Sequence, residues 1–319
     1  MTGAAGRTVA VVVAYNRRDL LIEVLDTLAA QSEPVAAIVV VDNASTDDTA
    51  SVVRERYPRV DLVSVPRNTG GAGGFAIGAA RAVVRQDADL VWLMDDDTVP
   101  TETALTELLS SIGDDERVTV AGSRVVWTDG QDHPMNTPRP KPFVRAAERR
   151  AAEARGAVPV RSSSFVSMLV RADAVREHGL PIADYFIWND DFEFSMRLLR
   201  RSRGFFVPGS VVVHKTAKLG ATDVDPGARF YYEVRNKVWL IRLARGLSPA
   251  EKILYTGSSL RRWARTFRAS ADRPLLWTGL RSGLRDGFRS RPRPNRVVLA
   301  GLGEASDDVA ACEAGVARS

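Results

Sequence analysis

The sequence predicts an α/β protein, a mostly parallel mixed sheet with helices on its flanks. Three observations support this fold class. Apolar, β-branched runs such as Thr8-Val-Ala-Val-Val-Val-Ala14 read as strands buried on both faces, as in a parallel sheet. These runs alternate with segments of helical period, the pattern of right-handed strand–helix–strand units. Polar residues gather where the strands end, which is where open α/β sheets bind ligands.

The elements follow in order. After the first strand, Leu20, Leu21, Val24, Leu25 and Leu28 recur at helical spacing, and Pro34 closes that helix. Ala37 to Val41 is a second buried strand, ending in Asp42-Asn43. Ser45-Thr-Asp-Asp48 resembles an N-cap cluster and opens a helix through about Tyr57. Val60 to Val65 is a third strand, and Arg67-Asn-Thr-Gly-Gly-Ala-Gly-Gly74 reads as a glycine-dense loop before a helix over Phe75 to Arg85. Ala88 to Met94 is a fourth strand, closed by Asp95-Asp96-Asp97.

The second half is less regular. Asp129 to Arg161 holds five prolines and little periodicity, which predicts a long flexible loop or flap. Ser162 to Val170 reads as a strand and Phe192 to Arg203 as a helix. Phe205 to Val213 reads as a strand interrupted at Pro208-Gly209 and ending at His214. From Phe230 onward the pattern is helical and basic, broken at Arg291-Pro-Arg-Pro-Asn295, with a small, polar, frayed tail. The expected division is an α/β domain over residues 1–240 and a helical basic region over residues 241–319.

Bulk composition narrows the class. With 45% hydrophobic and 26% charged residues in 319, the chain is long enough for a sizeable core and is not a disordered polymer. Its +5 net charge is uneven: between Arg261 and Arg296 stand eleven arginines and two acids, Asp272 and Asp286. Such a block suits an anionic partner. Cys312 is the only cysteine, which excludes an intrachain disulfide. No apolar run reaches the roughly 18 residues a membrane span needs. The expected location is the cytoplasm, with peripheral contact at the inner face of the plasma membrane.

Three clusters carry chemistry. Adjacent carboxylates at a strand end repel one another and are costly to desolvate unless a cation compensates. Mg²⁺ or Mn²⁺ suits such oxygen ligands. In extended chain Asp95 and Asp97 face one side and Asp96 the other, so the outer pair can share a metal. His214, at the end of another apolar strand, is a candidate third ligand. In Trp188-Asn-Asp-Asp-Phe-Glu193, the acids either favour a helix N-terminus or serve as a general base. Asp191 is the candidate base, with Asp190 and Glu193 binding or orienting an acceptor. The glycine stretch Gly70 to Gly74 either cradles a diphosphate or simply permits tight turning.

Together, Val13-Ala-Tyr-Asn-Arg17, Val41-Asp-Asn-Ala-Ser-Thr-Asp47, the Arg67–Gly74 stretch, Trp92-Leu-Met-Asp-Asp-Asp97, Trp188-Asn-Asp-Asp191 and His214 resemble the inverting family 2 glycosyltransferases of GT-A (Rossmann-like) fold. Within that family the chain is most similar to actinobacterial galactofuranosyltransferases and related rhamnosyltransferases. Asn68-Thr-Gly-Gly-Ala-Gly-Gly-Phe75 and Phe230-Tyr-Tyr-x-x-Arg-Asn236 bring that closer match. The resemblance implies that Tyr15 and Arg17 line the nucleotide pocket and that Asp42 accepts a hydrogen bond from a pyrimidine. It implies that Arg67 and Asn68 hold nucleotide and diphosphate, and that Asp95, Asp97 and His214 bind the metal. Asp96 would lie near the ribose or sugar, and Asp191 or Asp190 would be the base. Trp188, Glu193, Tyr232 and Arg235 would approach the acceptor. The base motif reads Trp-Asn-Asp-Asp where the polymerising galactofuranosyltransferases have Trp-Asp-Asp, so either aspartate can fill that role.

The implied reaction is transfer of a sugar, galactofuranose first and rhamnose second, from a UDP or dTDP donor. The implied acceptor is a hydroxyl of a cell-envelope glycan or a polyprenyl-linked glycolipid, and the basic segment would meet an anionic membrane surface. A nucleotidyltransferase would want a basic glycine-rich signature near its start, which Val13-Ala-Tyr-Asn-Arg17 lacks. A nonenzymatic nucleic-acid binder acting through the arginine-rich segment is the competing class. It is disfavoured because the acidic strand ends would repel phosphates, so nucleic acid is not an expected partner.

Overall fold

A computed structural model describes residues 6–316 apart from 137, 142–143, 217–218, 220–224 and 245. The strands are β1 (Thr8–Ala14), β2 (Ala37–Asp42), β3 (Asp61–Ser64), β4 (Leu90–Asp95), β5 (Thr98–Pro100), β6 (Val118–Val126), β7 (Arg139–Pro140), β8 (Val158–Ser162), β9 (Met168–Arg171) and β10 (Arg203–His214). They form one sheet in the order β3-β2-β1-β4-β9-β6-β10-β8-β7, with β5 paired to β10. Neighbours β3, β2, β1 and β4 are parallel, as are β6 and β10. Strand β9 enters antiparallel between β4 and β6.

Strand β1 is buried along its whole length because both its faces are covered. Val9, Val11 and Val13 pack on one side of the sheet, and Ala10, Val12 and Ala14 on the other. That is the physical reason its sequence is continuously apolar rather than alternating. Helices α1 (Arg18–Ala29), α2 (Thr49–Arg56), α3 (Gly70–Val84) and α4 (Ala104–Ile112) cover these strands.

Register decides where the polar strand ends meet. Val13 pairs with Asp95 and Ala14 with Asp42, so β2 and β4 deliver acids on either side of β1. Strand β10 is irregular between Val207 and Val211, where Pro208 lacks a ladder donor. Past that bend it pairs with β5, setting His214 opposite Thr98, the residue after Asp97. The Lys215 amide then donates to the Asp97 carbonyl at 2.9 Å.

Several local readings of the sequence are corrected. The glycine-dense stretch is not a loop, because Gly70 to Gly74 form the first turns of α3. Proximity requires glycine at particular positions of α3, among them Gly74, where a Cβ would stand 2.5 Å from Val13 Cγ1. A Cβ on Gly78 would stand 2.2 Å from Val11 Cγ1, so α3 lies flat on β1 only without one. Gly70 has φ +72°, and a Cβ on it would stand 2.1 Å from the Phe186 carbonyl oxygen. Ser162 to Val170 is not one strand. Strand β8 ends at Ser162, a turn of 3₁₀ helix spans Phe165–Ser167, and β9 follows. The helix expected over Phe192 to Arg203 is α7 (Asp190–Leu198), and Arg203 already belongs to β10. Within residues 129–161 lie β7 and α5 (Ala146–Glu153); positions 137, 142 and 143 fall outside the described residues.

After α6 (Ala172–His178) and α7 come α8 (Phe230–Leu243), α9 (Pro249–Ala269), α10 (Arg273–Arg289), α11 (Asn295–Val298) and α12 (Glu304–Val316). Ser248 and Glu251 form a capping box at the start of α9. The end of the chain is not frayed as far as residue 316; 317–319 lie outside the described residues. Ala305, Val309 and Cys312 of α12 join the core cluster that includes α3 and β1. Buried Asp308 accepts from Arg85 at 2.6 Å and Arg81 at 3.1 Å, fixing α12 to α3.

The Gly78→Ala variant is expected to destabilise the fold by about 1–3 kcal/mol through overpacking against Val11. Gly71→Ala, where nothing lies within 4 Å of the added Cβ, should be neutral or stabilising by up to ~1 kcal/mol. Equilibrium urea unfolding of the two variants checks the contrast.

Candidate active site

The strand ends open into one cavity of about 570 Å³. At one end it is lined by Arg17, Asp95, Asp96, Asp97, His214 and Asn136. Its opposite wall includes Ser164, Trp188, Asn189, Asp190 and Asp191 from the start of α7, with Arg139. Helices α8 and α9 add Glu233, Arg262 and Trp263. The acidic triplet, the distant histidine and the paired aspartates therefore share one space.

The triplet divides as alternation requires. Asp96 turns back toward β1, accepting from the Tyr15 amide at 2.9 Å and from Arg17 at 3.2 Å. Arg17 also pairs with Asp97. Asp95, Asp97 and His214 each offer a ligand atom, and these atoms lie within 4.8 Å of one another. Burial, then the charge of Asp97, pushes the Asp95 carboxyl up to about 6. Burial pushes Asp96 up to about 7. Burial also opposes ionisation of Asp97, but His214 and Arg17 outweigh it and hold its pKa below the ordinary value.

The donor set fits a divalent cation. The Nδ1 of His214 is 3.0 Å from Asn136 Oδ1, a pure acceptor, so Nδ1 carries the proton. When the ring is protonated Nε2 pairs with Asp97, and in the neutral ring Nε2 presents a lone pair 3.2 Å from Asp97 Oδ1. That buried oxygen has no hydrogen bond. A lone pair facing an unpartnered carboxylate oxygen is unfavourable until a cation lies between them. Carboxylate oxygen and imidazole nitrogen together suit Mn²⁺, and Mg²⁺ less well.

The paired aspartates differ in surroundings. Burial, then the charge of Asp191, pushes Asp190 far above the ordinary carboxylate range. Burial also raises Asp191, but the Phe192 amide, Ser164, Arg139 and Lys237 partly offset it. The Phe192 amide donates to Asp191 Oδ1 at 2.6 Å. Of the pair, Asp191 is the one with donors and cations set against its burial.

Other predicted residues fall elsewhere. Tyr15 is 44% exposed, and the wall of the cavity does not include it, nor Asp42, Arg67 or Asn68. Asp42 accepts from the Ser45 amide at 3.0 Å, and Asn68 Oδ1 from the Gly70 amide at 2.7 Å. The Arg67 guanidinium donates to the carbonyls of Val298 and Ala300. On the acceptor side Trp188 lines the cavity, but Glu193, Tyr232 and Arg235 do not. Glu193 is spent on Arg197 at 3.0 Å, one helical turn away. Tyr232 stacks on Phe186 with centroids 5.1 Å apart. Arg235 donates to the Asp184 carbonyl at 2.6 Å. Sequence reasoning passed over Asn136, Ser164, Arg139, Glu233 and Lys237. Glu233 and Lys237 stand one helical turn apart, but no spacing ties any of the five to the aspartates; only the fold brings them there.

The order of these parts along one sheet defines a nucleotide-sugar transferase fold, and comparison with known proteins agrees. Residues 9–177 match glycosyl transferase family 2, and the chain belongs to that family. It is similar to the galactofuranosyltransferase GlfT1 of Mycobacterium tuberculosis, 32% identical over 203 residues, 61% of this chain and 66% of the relative. The GlfT1 of Mycolicibacterium smegmatis is 30% identical over 204 residues, with the same two shares of 61% and 66%. The match thus spans just under two thirds of those relatives. Among solved structures, S. aureus TarS 1-349 in complex with UDP-GlcNAc aligns with TM-score 0.60 at 17% identity, over 97% of this chain and 88% of that one. GalNAc-T7 with UDP, GalNAc and Mn²⁺ aligns with TM-score 0.58 at 15% identity, over 80% and 55%. These likenesses establish the GT-A fold.

Because Glu193 holds Arg197 rather than facing the cavity, Glu193→Ala is expected to cost about 1–3 kcal/mol of stability. Urea unfolding measures it. Unchanged stability with weakened acceptor binding would return Glu193 to the acceptor site.

Proposed function

We propose that this chain is a cation-dependent, inverting hexosyltransferase. It moves a sugar, galactofuranose first, from a UDP donor to a hydroxyl of a cell-envelope glycan or polyprenyl-linked glycolipid. One observation supports this above all: Asp95, Asp97 and His214 share a single cavity with Asp191. The similarity to galactofuranosyltransferases favours the sugar.

Asp95, Asp97 and His214 would hold a divalent cation, which would supply positive charge for the departing diphosphate. Asn136 orients His214, and Arg17 holds Asp96 and Asp97 in place. Asp191 takes the proton of the acceptor hydroxyl as its oxygen bonds to the anomeric carbon from the face opposite the diphosphate. The anomeric C–O bond to the diphosphate breaks in the same step, its electrons pass to the phosphate oxygen, and configuration inverts. Burial and the charge of Asp191 disfavour ionisation of Asp190 beside the base.

The surface of α9 and α10 supports a membrane partner. Leu254 (71% exposed), Leu260 (57%), Trp277 (53%) and Phe288 (59%) stand among arginines on these helices. Among the described residues no helix is long and apolar enough to cross a membrane. A basic surface bearing aromatics suits the interface of an anionic leaflet. The protein is expected to sediment with phosphatidylserine-containing vesicles and not with phosphatidylcholine vesicles, releasing as salt rises. Equal binding to both would remove the electrostatic part of this reading.

The central test is release of UDP from UDP-galactofuranose, with dTDP-rhamnose as the comparison donor. Asp97→Ala is expected to abolish both turnover and the Mn²⁺-dependent thermal shift. Asp191→Asn is expected to lower kcat roughly 10²–10⁴-fold while leaving that shift in place. Turnover requires ionised Asp191, whose pKa lies above the ordinary 3.8. The wild-type rate should therefore climb with pH through a midpoint above that value. The absence of any cation-dependent shift with a UDP- or dTDP-sugar would sink the proposal.

A further inference from the structure

The most strained backbone in the described chain lies immediately before the paired aspartates. Phe186, Trp188 and Asn189 all have positive φ, at 63°, 65° and 65°. Phe186 has ψ −59°, and the Ile187 amide donates to the Tyr185 carbonyl at 2.7 Å. That is a γ-turn of the rare, strained hand. Non-glycine residues in such conformations cost on the order of 1–3 kcal/mol each and persist only where the surroundings over-determine them. Asn189 is the N-cap of α7, whose first two residues are Asp190 and Asp191. The direction in which Asp191 points is therefore set by this turn.

One face of α8 is built to hold it. Glu233, Asn236 and Lys237 stand three and four residues apart, on one side of the helix. Asn236 is fully buried, and its Nδ2 lies 2.8, 2.9 and 2.9 Å from the carbonyls of Tyr185, Ile187 and Trp188, which share its two N–H groups. Its Oδ1 accepts from Arg235 at 3.0 Å, which fixes the amide so that its donors face the turn. Arg235 itself lies 4.2 Å over the Trp239 ring. Glu233 accepts from Asn189 Nδ2 at 2.9 Å, and Lys237 donates to Asn189 Oδ1.

We infer that Asn236 is a positioning residue for the reaction, holding the left-handed Phe186–Asn189 turn so that Asp191 addresses the acceptor. This rests on Asp191 being the base. Asn236 touches neither the cavity nor the reacting atoms. The Tyr185 carbonyl also accepts from the Ile187 amide and from Arg235, whereas the Ile187 and Trp188 carbonyls are met by Asn236. Tyr232 and Arg235 then belong to the same support rather than to acceptor binding.

The test separates positioning from folding and from donor binding. In the full chain, Asn236→Ala is expected to lower kcat for UDP release from UDP-galactofuranose roughly 10–100-fold. The Kd for UDP with Mn²⁺, by calorimetry, should stay within about threefold. Wild-type kcat in a folded Asn236→Ala protein would overturn the inference, as would loss of UDP binding in parallel with kcat. If Asn236→Ala fails to fold, Arg235→Lys decides, since it keeps charge and stem but loosens the grip on the amide. A fall in kcat with UDP binding intact supports the inference, and unchanged kcat overturns it. Wild-type protein that binds no UDP with Mn²⁺ would instead refute the proposed function, and this inference with it.

Discussion

Three carboxylates packed at the end of one buried strand are the constraint on which the rest of the site depends. Asp96 and Asp97 are almost wholly buried, and Asp95 is pushed up to about 6 by its burial. Such a cluster is tolerable only where positive charge or donors converge on it. The fold brings Arg17 from just before α1 and the Tyr15 amide from just after β1, and it sets His214 of β10 beside Asp97. These supports satisfy Asp96 fully and Asp97 in part. The unpartnered Asp97 oxygen beside the His214 nitrogen is the remainder, and it is why the arrangement calls for a cation rather than another side chain.

A second constraint, mechanical rather than electrostatic, governs the opposite wall. The turn before α7 is strained, and strain relaxes unless each neighbour opposes it. Neighbours do so from several sides. The start of α3 presses on it, with the Ala72 amide donating to the Phe186 carbonyl at 3.2 Å and Gly70 leaving room for that carbonyl. Helix α8 grips it through Asn236. Electrostatics shapes the acidic triplet and backbone strain orients Asp190 and Asp191, and the glycines of α3 touch both β1 and the turn.

How much of this was legible in the sequence follows from the kind of force involved. Strands β1, β2 and β4 were readable because burial on both faces leaves an unbroken apolar run. The acidic triplet was readable because three adjacent acids after such a run are costly without a purpose. The glycines misled because glycine is a poor helix former; here proximity of α3 to β1 overrode propensity. The split between β8 and β9 was hidden because serines and apolar residues continue through the turn. Asn136 and the α8 face were invisible for another reason. Asn236 bonds to carbonyls some fifty residues away, at Tyr185, Ile187 and Trp188, and no periodicity records such a contact. The motif containing it was visible, but a helix bearing Arg235 and Asn236 reads equally well as a ligand-facing surface.

The C-terminal helices also change their meaning in the folded chain. By composition they form a basic region set apart from an α/β domain. In the structure they close around the segment before α7. Asn295 accepts from the Ala183 amide at 2.8 Å and donates to the Pro181 carbonyl at 2.9 Å. Arg293 pairs with buried Asp184 at 2.6 Å. Helix α12 then packs on α3, whose first turn touches Phe186. The chain thus returns to residues 181–189 from α3, from α8 and from the link into α11. A segment gripped this way is not free to relax, which is the condition a strained turn needs. The region that reads as an appendage is therefore part of what holds Asp191 in place.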